Sequence, residues 1–257
     1  MSNPTGGLME DAIKKVCRIA GVNVLVTAHY ERLREQIQHY IVSDVDESSI
    51  AFAIEQTDDD IDRVCMKRFG QIPTTHSARS TYEYMLSGTQ FHANMLNYNA
   101  FMLHSSAVAC DSKAYLFTAD SGTGKSTHTG LWLKHFGSER AFIVNDDKPI
   151  ARKIDETYYV CGTPWSGKNN IQRNTMVPLQ AIAYVVRNPE NSIERIEPKD
   201  ALPLLFEQTV YRINENLMGL LLDRLDDLLR TVPVYRLRCN ISDEAVCVAH
   251  GAMSGGI

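Results

Sequence analysis

What the 257-residue sequence does not contain narrows it first. No apolar run approaches the roughly 20 residues of a membrane-spanning helix, so no membrane partner is expected. The opening Met1-Ser2-Asn3-Pro4-Thr5-Gly6-Gly7 has neither the basic nor the apolar region of a secretory signal, and residues 1–9 read as a disordered lead-in. There is no basic tail and no basic stripe. With 31 acidic against 26 basic side chains the formal charge is −5, so no field draws in nucleic acid. There is also no Cys-x-x-Cys pair. Cys17, Cys65, Cys110, Cys161, Cys239 and Cys247 are scattered among apolar neighbours, which reads as buried free thiols in a reducing cytoplasm. Internal repeats and low-complexity segments are missing too.

The 44% hydrophobic and 22% charged fractions are those of an ordinary globular chain. Its length suits one large α/β domain, or such a domain with a smaller appendage. The first part alternates strand-like and helix-like stretches: Val16–Thr27 with a bend at Gly21, a helix over Tyr30–Ile41, a strand over Ser49–Glu55. A helix then runs from the Thr57-Asp58-Asp59-Asp60 cap to about Arg68. The acids from Asp58 to Asp62 are explained by that cap and the helix dipole rather than by a metal. After a loop over Gly70–Arg79, Ser80–Asn97 reads as helical. Residues 1–98 form a small α/β region without legible chemistry, and residues 99–257 a nucleotide-binding domain.

From Phe101 the pattern changes. Phe101–Ala109 and Ala114–Thr118 are apolar strands joined by a turn at Cys110-Asp111-Ser112-Lys113. Ser121-Gly122-Thr123-Gly124-Lys125-Ser126-Thr127 follows, and then a helix over Thr127–Phe136 closed by Gly137. Strand, Gly-rich loop, Lys-Ser and helix are the context of a phosphate-binding loop. Glycines let backbone N–H groups converge on phosphate oxygens, and the helix N-terminus favours the anion. Lys125 would reach the β- and γ-phosphates, and the Ser126 hydroxyl a divalent cation. Ala119 stands five residues before Gly124, where the strict pattern has its first glycine.

A strand over Arg140–Val144 ends in Asn145-Asp146-Asp147, which resembles the acidic strand end that attends Mg²⁺ beside such loops. Neighbouring residues of a strand point to opposite faces, so one aspartate can reach the metal while the other faces the incoming substrate. A turn with two solvated carboxylates would carry the same residues. His104 begins the strand that pairs, through a hairpin, with the strand feeding the loop. It should therefore sit beside the loop, to orient a carboxylate or ligate a metal. Lys168, Arg173 and Trp165 lie in or near a polar loop after Asp147, where a cation could neutralise a transferring phosphoryl group or simply be solvated. Strands over Thr157–Cys161, Leu179–Arg187 and Pro233–Cys239 complete the sheet. Helices follow over Asp200–Tyr211 and Asn214–Leu229, and one more after the Ser242 cap.

His104-Ser105-Ser106-Ala107, Ala119–Thr127 and Asn145-Asp146-Asp147 together resemble the P-loop kinase superfamily that unites HPr kinase/phosphorylase with ATP-dependent phosphoenolpyruvate carboxykinase. The resemblance implies a P-loop-containing mixed α/β sheet of that type with a small N-terminal α/β appendage. It implies ATP with Mg²⁺, or Mn²⁺ in its place. In the kinases the first aspartate of the pair handles the acceptor's proton with the histidine as its partner, which gives that role to Asp146 and His104. The second aspartate and the loop hydroxyl attend the metal, which gives Asp147 and Ser126. In the carboxykinases the equivalent histidine is a metal ligand. Thr127 stands where the HPr kinases usually have Glu, and no Arg and Lys set for a dicarboxylate is evident.

These readings converge on an ATP- and Mg²⁺-dependent phosphotransferase. Lys125, Asp146 and His104 would be catalytic; Ser121 to Thr127 with Lys168 and Arg173 would hold nucleotide; Ser126 and Asp147 would hold metal. The acceptor is a hydroxyl on a peptide, a protein or a small molecule, with assembly into a homo-oligomer left open. A non-catalytic nucleotide-binding regulatory module is the alternative, and a carboxykinase-like lyase ranks below it.

Overall fold

The computed structural model describes residues 11–209 and 214–255. The lead-in over 1–9 and the last two residues of the helix expected over Asp200–Tyr211 lie outside the described residues, but that helix already stops at Phe206, where the chain turns. The chain divides into two compact units, Met1–Arg18 with Val22–Gly88 and Ile19–Gly21 with Thr89–Ile257.

The first unit holds β2 (Val22–Ala28) and all but the last residue of β1 (Ile13–Ile19), which flank a two-residue turn at Ala20 and Gly21, both with positive φ. That is the turn whose twist matches a hairpin. β3 (Ile50–Ile54) joins β2 in parallel, giving the order β1-β2-β3. The expected helix over Tyr30–Ile41 is shorter: α1 spans Glu31–Gln36, and Gln38–Tyr40 tightens into a 3₁₀ turn. α2 (Asp58–Phe69) starts with a capping box between Thr57 and Asp60 and stops at left-handed Gly70. Its remaining acids are used too, since Arg79 pairs with Asp58 and Asp62. α3 (His76–Met95) begins before the expected Ser80, because the Thr75 hydroxyl caps it by accepting from the Ala78 N–H.

Inside this unit the Glu83 carboxylate accepts from the backbone N–H groups of His29 and Tyr30 at 2.6 and 3.1 Å. Burial pushes its carboxyl up to about 7, against the pull of those two donors. It satisfies the N–H of Tyr30, the N-cap of α1, and that of His29 just before it.

The second unit is built on a mixed sheet. Its strands are β4 (Ala100–Met102), β5 (Ser105–Cys110), β6 (Lys113–Thr118), β7 (Ala141–Asp147), β8 (Ile150–Ile154), β9 (Thr157–Cys161), β10 (Met176–Arg187), β11 (Ser192–Arg195) and β12 (Val234–Cys239). They run in the order β4-β8-β9-β10-β6-β5-β7, with β12 parallel to β10 and β11 antiparallel to β12. β6 and β10 are parallel, and β5 is antiparallel to both β6 and β7. The expected single strand over Phe101–Ala109 is broken. Leu103 and His104 leave the ladder to donate to the carbonyls of Pro149 and Gln208, so β4 pairs with β8 and β5 with β6 and β7. β8 and β11 carry no sequence signal that separated them from loop.

Both faces of this sheet are covered. On one, Ala107, Ala109 and Leu116 pack against α5 (Pro198–Phe206) and α6 (Glu215–Thr231). On the other, Val108, Tyr115 and Phe117 pack against α4 (Lys125–Phe136) and α7 (Asp243–Met253), with Trp132 fully buried. Two covered faces explain why β5 and β6 read as continuous apolar runs instead of alternating. Five cysteines are buried and all six are free, but Cys247 is exposed on the outer side of α7, against the expectation of six buried thiols. No helix among the described residues is long and apolar enough to cross a membrane.

Candidate functional site

β6 stops at Thr118, and Ala119 to Gly124 carry the chain into α4. Ala119 is buried with Phe117 and Trp132 in one apolar cluster, so its methyl is packed where the strict loop pattern has only hydrogen. Gly122 (φ 79°) and Gly124 (φ 117°) take left-handed backbone that favours glycine. A Cβ at either would meet no atom within 4 Å, so conformation and not crowding selects glycine there. The first helical bond runs from His128 N to Gly124 O, which leaves the N–H groups of Lys125, Ser126 and Thr127 without acceptors in the helix. Ser121, Ser126 and Thr127 are exposed.

Lys125 is buried, and its ammonium donates to Ala119 O at 2.9 Å and to Asp120 O at 3.5 Å. Burial lowers its pKa, while the charges of Asp147, Asp120 and Asp146 work the other way. The loop is held from the neighbouring parallel strand. Arg187 Nε donates to Thr123 O at 2.8 Å, its Nη2 donates to Gly122 O, and the Tyr184 hydroxyl bonds Asp120 at 3.2 Å. No motif flags Arg187 or Tyr184; only the register of β10 beside β6, with Tyr184 opposite Thr118, brings them there.

The acids reach the loop through the ladder. Thr118, Ser105 and Asp147 form one row across β6, β5 and β7; Phe117, Ser106 and Asp146 form the next. Two strand spacings, about 10 Å, therefore separate the end of β6 from the acid pair. Residues of one row share a face. Ser106 bonds Thr129 of α4 at 2.7 Å, so the second row, with Asp146, lies on the α4 face. Asp147 lies on the other. Both acids belong to β7 itself rather than to a solvated turn.

His104 Nε2 lies 3.2 Å from Asp147 Oδ1, and its Nδ1 lies 3.2 Å from Gln208 Oε1. The resemblance placed this histidine with Asp146; here it is paired with Asp147. The Lys148 ammonium takes the second Asp147 oxygen. Burial would raise the Asp147 carboxyl, but the His104 hydrogen bond and the Lys148 charge outweigh it and hold it at about 2. Among the described residues no side chain bonds the Asp146 carboxylate or the Ser126 hydroxyl. Behind Lys148, His92 is buried against Phe91 and Trp165, and burial with the Lys148 charge drives its pKa down to about 3.

The polar loop after β9 is a packed connection. Trp165 is buried, stacked on Phe91 at 4.8 Å. Arg173 lies over the Phe142 ring at 4.6 Å, and Phe142 pairs with Ala109 at the far end of the β5–β7 ladder, so its guanidinium does not converge on the loop. Lys168 is exposed, on a turn that starts where Gly167 N donates to Asp146 O. Elsewhere, Cys110, Asp111 and His250 bring ligand-type atoms within 4.8 Å of one another, but Arg140 grips both Asp111 oxygens.

No protein-family model matches the chain, and no curated protein matches it. Among solved structures it is similar to an HPr(Ser) kinase/phosphatase from Coxiella burnetii. The two are 12% identical with a TM-score of 0.29, over 57% of this chain and 90% of that one.

Proposed function

We propose that the second unit is an ATP- and Mg²⁺-dependent kinase that transfers the γ-phosphoryl group to a hydroxyl of a peptide, a protein or a small molecule. The rows Thr118–Ser105–Asp147 and Phe117–Ser106–Asp146 carry this reading, because they bring two carboxylates to the end of the sheet where β6 enters the Gly-rich loop. The phosphates lie on the N–H groups from Gly122 to Thr127, and Lys125 leaves the Ala119 carbonyl for the β- and γ-oxygens.

Ser126 and Asp146 supply hard oxygen donors that have no competing side-chain partner among the described residues, and Asp146 is on the α4 face; this donor set fits Mg²⁺. Bound there, the ion would neutralise charge on the β- and γ-phosphates. Asp147, held by His104, orients the acceptor hydroxyl. The hydroxyl oxygen forms the bond to Pγ, the bond from Pγ to the β–γ bridging oxygen breaks, ADP leaves with that electron pair, and the hydroxyl proton passes to Asp147. A carboxylate of low pKa suffices, since phosphoryl transfer runs through a loose transition state in which positioning matters more than basicity. Lys168, exposed beside Asp146, is available to the transferring group; Arg173 is not.

Titration calorimetry with Mg-ATP, together with label transfer from γ-labelled ATP to serine peptides and free serine, tests the proposal. Binding and transfer should both depend on Lys125. Tight binding with no transfer and no hydrolysis across a broad acceptor panel would leave a non-catalytic nucleotide module instead.

A further inference from the structure

A cavity of about 630 Å³ opens beside the loop on the side away from the acids, bordered by Gly124 and Thr127 and closed by the ends of β10 and β12. None of His104, Asp146 and Asp147 lines it. Its size falls within the roughly 300–1,000 Å³ of small-molecule sites. Leu131, Val185, Pro189 and Ile241 form apolar walls, and Ile241 holds 77% of its surface in water although it is a large aliphatic side chain. Among the lining residues only Arg187 is charged, and its guanidinium is bound to the carbonyls of Gly122 and Thr123.

The floor has one oriented polar group. The Trp132 indole N–H donates to His128 Nε2 at 3.1 Å, which places the proton of the neutral ring on Nδ1. That N–H faces the Cys239 sulfur at 4.0 Å, a soft and distant acceptor. Burial pushes the His128 pKa down to about 4, so the ring is neutral at ordinary pH. The site offers a flat apolar slot, one buried donor and no free charge.

If Lys125 holds the terminal phosphates, the chain of phosphates crosses the start of α4 toward Thr127, and whatever it carries enters this cavity. We propose that the cavity binds the base and ribose of the nucleotide. This inference rests on the loop reading above, and the two fail differently in one experiment.

Titration calorimetry compares Mg-ATP with Mg-tripolyphosphate on the parent protein, on Leu131→Trp, which fills the slot, and on Ile241→Asp, whose exposed position tolerates exchange. ATP should bind the parent roughly tenfold or more tightly than tripolyphosphate, and each substitution should remove most of that margin while tripolyphosphate binding is unchanged. Should Leu131→Trp fail to fold, Ile241→Asp alone decides. Equal affinity of the parent for both ligands, or ATP binding unaltered in the folded variants, overturns the cavity assignment and leaves the loop intact. If the parent binds neither ligand, the loop reading falls and the cavity assignment falls with it.

Discussion

His104 and Asp147 come together because the chain breaks its strand at Leu103 and His104: His104 N donates to Gln208 O, outside the ladder, while Asp147 stays paired with Ser105. The imidazole Nε2 then meets Asp147 Oδ1 at 3.2 Å, with Lys148 on the other oxygen. A single carboxylate is thus gripped from both sides. Its neighbour Asp146, one residue earlier and on the opposite face, has no such grip among the described residues.

That grip makes acid stability depend on Asp147. Its folded pKa, about 2, lies below the unfolded value near 3.9, so the stabilisation is fully present above pH 3.9 and is lost as pH falls through 2. The difference amounts to roughly 3 kcal/mol. Chemical denaturation of Asp147→Asn between pH 2 and 5 should show a flatter pH dependence than the parent. Parallel curves for the two proteins would contradict the low pKa.

Lys125→Ala should leave the thermal transition nearly in place, because the ammonium bonds only carbonyls of its own loop. A charge-assisted contact to phosphate contributes about 1.5–3 kcal/mol, so Mg-ATP affinity should fall roughly 10- to 100-fold. Calorimetry on both proteins measures it, and unchanged affinity would mean the loop does not hold phosphate.

The Gly-rich turn before α4, the acidic end of β7 and the caps of α2 and α7 were legible because each is local chemistry: residue types at short spacing dictate the turn or cap. Arg187 was not, since it reaches the loop only through parallel pairing of strands more than sixty residues apart. The partner of His104 was not legible either; it depends on a strand break at Leu103–His104 and on a register shift between Ala107 and Val108. Trp165 and Arg173 looked like ligand-facing groups because their loop is rich in Gly, Ser and Lys. In the fold, packing against Phe91 and Phe142 outweighs that composition.

Two glycines of the same loop should separate packing from site geometry. A Cβ on Gly162 would lie 1.8 Å from Arg173 O, a backbone atom with nowhere to go, so Gly162→Ala should not yield folded protein. On Gly167 it would lie 2.7 Å from Asp146 O, the carbonyl to which Gly167 N donates. Gly167→Ala should fold with a loss of about 1–3 kcal/mol and should weaken transfer more than Lys168→Ala does, because it displaces an acid. Thermal unfolding and transfer rates on the three variants check this; wild-type transfer in folded Gly167→Ala would detach Asp146 from the chemistry.

The two aspartates should answer differently to the same substitution. With Asp146 on the α4 face and proposed with Ser126 as a metal donor, Asp146→Asn removes charge from the metal side, so the Mg²⁺ requirement should rise and nucleotide affinity should fall with it. Asp147→Asn should leave Mg-ATP affinity within a few-fold and slow transfer, by about 10² to 10⁴ if proton handling has its usual weight. His104→Ala should follow Asp147→Asn, since it acts through that carboxylate, whereas Ser126→Ala should follow Asp146→Asn. Titrating Mg²⁺ at fixed ATP and measuring transfer at saturation separates the two classes. The reverse pattern, with Asp147 and His104 governing the metal requirement, would return Asp147 to the metal role implied by the resemblance and give His104 the ligand role of the carboxykinase histidine. If all four variants changed affinity alone, the site would bind nucleotide without transferring its phosphoryl group.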